Sequence, residues 1–417
     1  MNQQALPPLL ELMERKRDES ATRANRMRVV GLFAGIGGLE LGLDAAGHET
    51  QLLCEIDPGA RAVLQTRFPD REVHEDVSDL RSLPTTDLLV GGFPCQDLSQ
   101  AGKTAGIDGS RSGLVGHVFR LLTEHAIPHV LLENVPFMLQ LGSGRAMTVV
   151  VDALEELGYR WAYRVVDTRA FGIPQRRRRV VLFASKSMDP RDVILGDESP
   201  PPPVCERRDS SYGFYWTEGL RGLGWAVDAV PTLKGGSGLG IPSPPAIWHR
   251  DGSFVKPDIR DAERLQGFPS DWTLPTLRVT RAGHRWKLVG NAVTVDMARW
   301  VGDRIAQPSR YDDERDRPLT GEGAWPAAAW GEPGRRRAVE ISEYPVAVPL
   351  VRLMDFLEYP PEPMSLRAMS GFLQRARRST LRFRPGFLES ATRYVSEHEV
   401  RFQEFEDAES RRRAESR

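Results

Sequence analysis

One thiol in this chain is placed to act as a nucleophile. Cys95 sits in Gly92-Phe93-Pro94-Cys95-Gln96, directly after the apolar, strand-like run Asp87-Leu88-Leu89-Val90-Gly91. Proline fixes its own φ and biases Phe93 toward extended backbone, so Cys95 is expected at the start of a tightly defined loop. A strand end that hands a reactive side chain to a loop is where open α/β sheets bind ligands. The chain has three cysteines. Cys54, inside a strand-like run, reads as core, and Cys205, in a proline-rich stretch, reads as inert. The three form no CxxC pair, which argues against a structural zinc site or a disulfide framework, so no metal is expected and a reducing compartment is.

Three further constellations could share a site with that thiol. Phe33-Ala34-Gly35-Ile36-Gly37-Gly38 follows an apolar strand and opens a helix, where glycines let backbone approach a ligand and free N–H groups bind it. Glu55, about 20 residues on at the next strand end, could accept hydrogen bonds from ribose hydroxyls. Asp76, in His74-Glu75-Asp76-Val77, ends a third short strand, and together these tips suggest a nucleoside pocket. Glu133-Asn134-Val135 closes another apolar run, where desolvation can raise a carboxyl pKa and make it a proton donor near neutrality. In Gln175-Arg176-Arg177-Arg178-Arg179, side chains alternate on an extended segment. Gln175, Arg177 and Arg179 therefore share one face, and Arg176 and Arg178 point the other way, toward solvent or phosphate.

The elements that must position these residues are legible as spacing. Arg28-Phe33, Gln51-Ile56, Asp87-Val90, Val130-Glu133, Tyr159-Asp167 and Val180-Ala184 read as strands. Gly38-Ala46, Pro58-Phe68, Leu114-His125 and Met147-Leu157 read as helices, so residues 28–185 suggest a parallel sheet with crossover helices. Residues 1–27 are polar, without the apolar region of a signal peptide. Residues 186–257, rich in proline, glycine and tryptophan, suit a small loop-rich lobe. Residues 258–306 recover helical order, 307–345 read as a linker or disordered segment, and 346–417 read as a helical appendage used for packing or solubility. A net charge of −1 over 417 residues does not announce nucleic acid, so any such binding must be local. No apolar run reaches membrane-spanning length.

Taken in order, these segments resemble the DNA (cytosine-5) methyltransferase family, bacterial modification or phage-defence type. Ser99, the run Arg260-Asp261-Ala262-Glu263-Arg264-Leu265-Gln266-Gly267-Phe268-Pro269 and Gly290-Asn291-Ala292-Val293 join the motifs above, and the likeness runs from about Arg28 to Ile305. The resemblance implies an α/β fold, a Rossmann-like doubly wound sheet of the class I S-adenosylmethionine-dependent kind, with a target-recognition lobe and a C-terminal extension. It implies that Cys95 adds to C6 of a cytosine extruded from duplex DNA while Glu133 holds and protonates N3. Arg177, with Arg179 behind it, would position the base and Glu133; Asn134 and Gln175 would shape the pocket. S-adenosylmethionine would lie across Phe33, Gly35, Ile36, Gly37 and Gly38, with Glu55 on the ribose and Asp76, beside Val77, on the adenine amino group. Pro94, Leu114 and Asn291-Ala292-Val293 would complete its enclosure. Ile56 stands where the family often has an aromatic on adenine, so stacking should be weaker there.

Residues 96–113 resemble the family's mobile catalytic loop, with Gln96, Ser99, Lys103 and Arg111 as DNA contacts. In the lobe, Lys234 and Arg250 are the main candidates, with Trp216, Trp248 and His249 conceivable. The implied setting is cytoplasmic and nucleoid-associated, as a monomeric catalytic unit acting on double-stranded DNA with a cognate restriction or defence complex as partner. Three other readings stay open at this point: a tRNA-modifying branch, a catalytically dead DNA-binding partner and a nicotinamide dehydrogenase. The last gives no reason for Pro94-Cys95-Gln96 or Glu133-Asn134-Val135.

Overall fold

Arg28–Leu32 forms strand β1 at the heart of a large sheet because its alternate residues feed two cores. Val30 and Leu32 enter the core on one face and Val29 the core on the other. The computed structural model describes residues 26–93, 113–203, 206–220, 222–236, 242–319 and 323–399. After β1 come β2 (Glu49–Cys54), β3 (Glu72–His74), β4 (Leu88–Gly92), β5 (His129–Asn134), β6 (Arg160–Asp167), β7 (Gln175–Arg176) and β8 (Arg178–Ser185). All but β7 lie in one sheet, in the order β6-β8-β5-β4-β1-β2-β3. The neighbours of β1 are parallel to it, and the helices Gly38–Ala45, Pro58–Arg67, Leu114–Glu124 and Arg145–Glu156 cross between strands.

The sheet is not parallel throughout. β8 runs antiparallel to both β5 and β6, sitting between them. The chain returns from β6 to β8 through a short excursion, too short for the crossover a parallel pair needs.

A small lobe is built from β9 (Tyr212–Phe214), β10 (Ala226–Val227), β11 (Val230–Pro231), β12 (Ala246–Trp248) and β13 (Phe254–Lys256). Helix Pro190–Ile194, within the 186–257 expected for that lobe, instead packs on β6 and β8, because Val193, Ile194 and Leu195 bury in the main sheet's core. β11 pairs with β7, tying the lobe to the arginine run. Helix Val295–Ala306 then packs on Gly38–Ala45, close enough that a β-carbon at Gly42 would lie 2.6 Å from that of Ala298.

The expected linker is instead part of the main sheet. Within 307–345, β14 (Asp316–Pro318), β15 (Ala328–Glu332) and β16 (Arg335–Val339) continue it, with β15 antiparallel to the free edge of β6. The polar composition that suggested a linker belongs to an edge. Arg336 pairs with Asp152 at 2.5 Å and Glu155 at 2.8 Å on the neighbouring helix, Arg335 stacks on Trp330, and Pro333-Gly334 makes the hairpin turn.

The C-terminal segment does not stand apart either. β17 (Glu362–Pro363) adds to β13, giving a lobe sheet ordered β10-β9-β12-β13-β17. Helix Leu366–Arg377 and a helix over 387–399 then supply half of that lobe's core. Phe387 is wholly buried, with the rings of Phe214, Trp225, Trp248, Phe254, Phe372 and Phe383 between 4.8 and 5.9 Å from its own. Among the described residues no helix is long and apolar enough to cross a membrane.

Candidate active site

The glycine turn between β1 and helix Gly38–Ala45 is left-handed at three positions. Phe33 has φ 53°, Gly35 56° and Gly37 85°. A non-glycine residue there is strained by about 1–2 kcal/mol, and Phe33 is such a residue. Among the described residues, a β-carbon at Gly35 would meet no atom within 4 Å, so the turn borders open space there. At Gly38 a β-carbon would lie 2.4 Å from the carbonyl oxygen of Val293, so only glycine lets the 291–293 segment close over the turn. Ile36 is buried and its carbonyl accepts a 2.8 Å hydrogen bond from the Trp272 indole.

Glu55 follows the end of β2 and faces the turn. Its carboxylate accepts 2.8 Å hydrogen bonds from the amides of Gly35 and Asp57. Burial pushes its pKa up, and those amides hold it down. A carboxylate has about four acceptor positions, so two bonds leave capacity for a ligand. Ile56, beside it, is 65% exposed, an apolar surface open to a ligand. Asp76 accepts 2.8 Å from the Ser78 amide, which draws its pKa below the usual carboxylate value. Val77 is buried under it, and Leu114 packs against the same core from the start of its helix. An open concavity over Gly35, an acid at each of two strand ends and a bare apolar side chain suit a nucleoside cofactor.

On the other side of the sheet's midline, β5 ends in Glu133 and Asn134. Glu133 is buried, and Arg179 Nε approaches its Oε1 to 2.7 Å. The approach is off the N–H axis, so that oxygen accepts no well-directed hydrogen bond. Burial raises the Glu133 pKa, countered first by Arg179 and then by Arg177. Asn134 donates 2.9 Å to the carbonyl of Phe93, fixing the end of β4 where the described chain stops before Pro94. Pro94, Cys95, Gln96, Ser99, Lys103 and Arg111 lie outside the described residues, as does Cys205. Cys54 is buried, and burial pushes its thiol up to about 12.

Alternation along the arginine run is clear. Gln175 and Arg177 are fully buried and Arg179 nearly so, whereas Arg176 is half-buried and Arg178 exposed. The division of work differs from the one expected from the resemblance, because Arg179, not Arg177, meets Glu133. Arg177 donates to the carbonyls of Leu233 (3.1 Å), Gly290 (3.2 and 3.3 Å) and Ala292 (2.5 Å). Gln175 donates 2.6 Å to Leu265 and accepts 3.0 Å from Leu233. Both side chains thus clamp lobe, 260s segment and 290s segment together. They do not line an open pocket.

Arg176, Arg178, Arg179 and Arg169 border a cavity of about 660 Å³ with Pro136, Asp167, Thr232 and Glu343. A larger cavity of about 720 Å³, around Trp325 and Arg336, lies away from these residues and is not part of the site. Asn291 is exposed, Ala292 and Val293 buried.

The lobe candidates are less free than their residue types suggest. Lys234 pairs with Glu218 at 2.8 Å and lies 3.7 Å from the Tyr215 ring centre. Arg250 pairs with Glu206 at 3.0 Å over the rings of Tyr212 and Trp248. Trp248 is buried and cannot reach DNA, since its ring belongs to the lobe core. Trp216 donates to the Pro244 carbonyl, and His249 contacts the Ser211 hydroxyl.

Sequence spacing left two groups unassigned. Glu263, buried, accepts from the Thr273 amide at 2.8 Å and from Arg285 at 2.9 Å, locking the Arg260–Pro269 segment. Glu40, in the first turn of helix Gly38–Ala45, is fully buried, and neither of its oxygens has a hydrogen-bond partner among the described residues. An acid amid Gly38-Leu39 and Leu41-Gly42-Leu43 was the available signal.

A family model described as C-5 cytosine-specific DNA methylase matches residues 27–203. The chain is 49% identical over 365 residues to the Type II methyltransferase M2.BsuMI of Bacillus subtilis (strain 168), covering 84% of this chain and 94% of that one. It is 30% identical over 324 residues to M1.ScrFI of Lactococcus lactis subsp. cremoris, covering 68% and 78% respectively. To M.MspI of Moraxella sp it is 27% identical over 335 residues, covering 73% and 75%.

Proposed function

Since this chain belongs to the C-5 cytosine-specific DNA methylases and is a DNA cytosine-5 methyltransferase, we propose that it acts through a transient bond between Cys95 and C6 of a cytosine turned out of the duplex. The observation that carries this reading is the buried Glu133–Arg179 pair, one strand over from the Gly92-Phe93 end of β4 that leads into Pro94-Cys95. C5 of cytosine is a weak nucleophile. Addition of the Cys95 thiolate at C6, with Glu133 delivering a proton or hydrogen bond to N3, places electron density on C5. A carboxyl whose pKa is raised by burial suits that donation, and Arg179 holds it in place. Once C5 carries the methyl group that the cofactor would supply, its proton passes to solvent, the C6–sulfur bond breaks to give back the Cys95 thiolate, and N3 returns its proton to Glu133, restoring the aromatic ring.

S-adenosylmethionine, when bound, supplies the methyl group as an electrophile. Phe33, Gly35, Gly37 and Gly38 would hold its amino-acid portion, Glu55 its ribose, and Ile56, Asp76 and Val77 its base, with Asn291–Val293 closing the pocket. The chain's likeness to type II methyltransferases along most of its length supports a modification role beside a restriction or defence nuclease.

Incubation with cofactor and duplex DNA carrying 5-fluorocytosine tests the mechanism, because fluorine at C5 blocks release of the sulfur. A denaturation-resistant complex is expected, absent in Cys95→Ser. Equal trapping by Cys95→Ser removes this thiol from the reaction, and sustained methyl transfer by that variant does the same.

A further inference from the structure

Between Leu366 and Glu399 there are seven arginines and three acidic residues, Glu389, Glu397 and Glu399, in a chain whose net charge is −1. That segment is the helical pair whose apolar faces complete the lobe core, so its cations stand on helices packed against the lobe. Two chains of contact join them to the candidate DNA-facing cations. Arg384 and Arg250 share the carboxylate of Glu206 and both stack on Tyr212, at 4.5 and 4.9 Å. Arg375 donates to the carbonyls of Trp216 (2.8 Å) and Glu218 (3.0 Å), and Glu218 holds Lys234. Lys234 adjoins Leu233, whose carbonyl accepts from Arg177.

Beyond these tethered arginines, Arg377, Arg378 and Arg382 are exposed and have no ion pair among the described residues. Arg377 donates to the Thr392 hydroxyl at 3.0 Å. These guanidiniums, beside Arg375 and Arg384 in the sequence and without an ion pair among the described residues, match the spaced charges of a sugar–phosphate backbone.

We propose that the C-terminal helical pair is part of the DNA-binding surface, with Arg377, Arg378 and Arg382 taking backbone phosphates of the duplex that flanks the target base. The proposal rests on DNA being the substrate. It assigns the C-terminal extension a binding role in addition to the packing role that its buried residues perform. Phosphate contacts add affinity without reading sequence, so the extension lengthens the footprint and steadies the lobe while other residues read bases.

The test compares the unaltered full chain with the triple variants R377Q/R378Q/R382Q and R377K/R378K/R382K. Affinity for a long and a short duplex is followed by anisotropy across a salt series. Each phosphate contact contributes about 0.9 to the slope of log affinity against log salt. The glutamine variant is therefore expected to lose about 2 to 3 from that slope on the long duplex, whereas the lysine variant keeps it. An unchanged slope in the glutamine variant overturns the proposal. So does equal loss in the lysine variant with a lowered melting temperature, which marks a structural role. Methyl transfer to the same duplex by the unaltered chain separates the two failures. If the unaltered chain neither binds nor methylates it, the substrate reading falls and this proposal falls with it.

Discussion

Arg179 Nε lies 2.7 Å from Oε1 of Glu133, with each side chain only 10% exposed. The pair joins the end of β5 to β8, its antiparallel neighbour, so the sheet itself sets the distance between acid and guanidinium. Breaking a buried pair by removing one partner costs about 3–5 kcal/mol. Arg179→Ala should therefore lower the melting temperature and abolish methyl transfer together, while Arg179→Lys recovers part of both. Wild-type turnover in Arg179→Ala, measured with tritiated cofactor, would remove the pair from the chemistry.

Arg177 has a different task, and its loss should read differently. It donates to backbone carbonyls of Leu233, Gly290 and Ala292, and a buried acceptor left alone costs about 1–3 kcal/mol. Arg177→Met should destabilise the fold and weaken cofactor binding, because the 291–293 segment loses its anchor. A normal melting curve with normal cofactor affinity would refute that role.

Glu55→Ala is expected to weaken S-adenosylmethionine binding by about 1–3 kcal/mol. Part of this loss arises in the protein, since the Gly35 and Asp57 amides lose their acceptor. Glu55→Gln keeps one carbonyl acceptor and should lose less. Calorimetry giving equal affinities for all three proteins would exclude Glu55 from the pocket.

Glu40 offers a pH test. Burial, with smaller contributions from Asp44 and Glu55, lifts its carboxyl from 4.5 to about 8. The folded protein thus holds a proton that the unfolded chain has released, so stability falls as pH rises from 4.5 to about 8. Each unit is worth about 1.4 kcal/mol, so over that interval the effect is on the order of 5 kcal/mol. Glu40→Gln should gain little at pH 5 and several degrees in melting temperature at pH 8. A gain independent of pH would contradict the assignment.

Phe387→Ala should cost about 3–5 kcal/mol, the range for truncating a buried aromatic. The damage should be confined to the lobe, so duplex binding is lost while cofactor binding survives. Loss of both in parallel would show that the lobe and the main sheet melt as one unit.

Much of the site was legible because it lies at strand ends, and strand ends are local signals. The apolar runs before Phe33, Glu55, Phe93 and Glu133 locate each polar tip within a residue or two. Period-two alternation likewise separates Gln175, Arg177 and Arg179 from Arg176 and Arg178. Alternation states which side chains share a face but not what faces them. That Arg179 meets Glu133 while Arg177 meets carbonyls depends on segments far along the chain. The 307–345 region was misread for a related reason. Edge strands carry charge on purpose, and β15 is recognisable only once the open edge of β6 is known.

The amino-acid order alone therefore determined the chemistry available, a thiol after a proline, an acid at a strand end, glycines at a turn, and the family these spell together. Tertiary structure decided which guanidinium holds the acid, and that the C-terminal segment is half of a lobe. Pairing and packing join residues hundreds of positions apart. Their energy resides in contacts that no window of sequence contains.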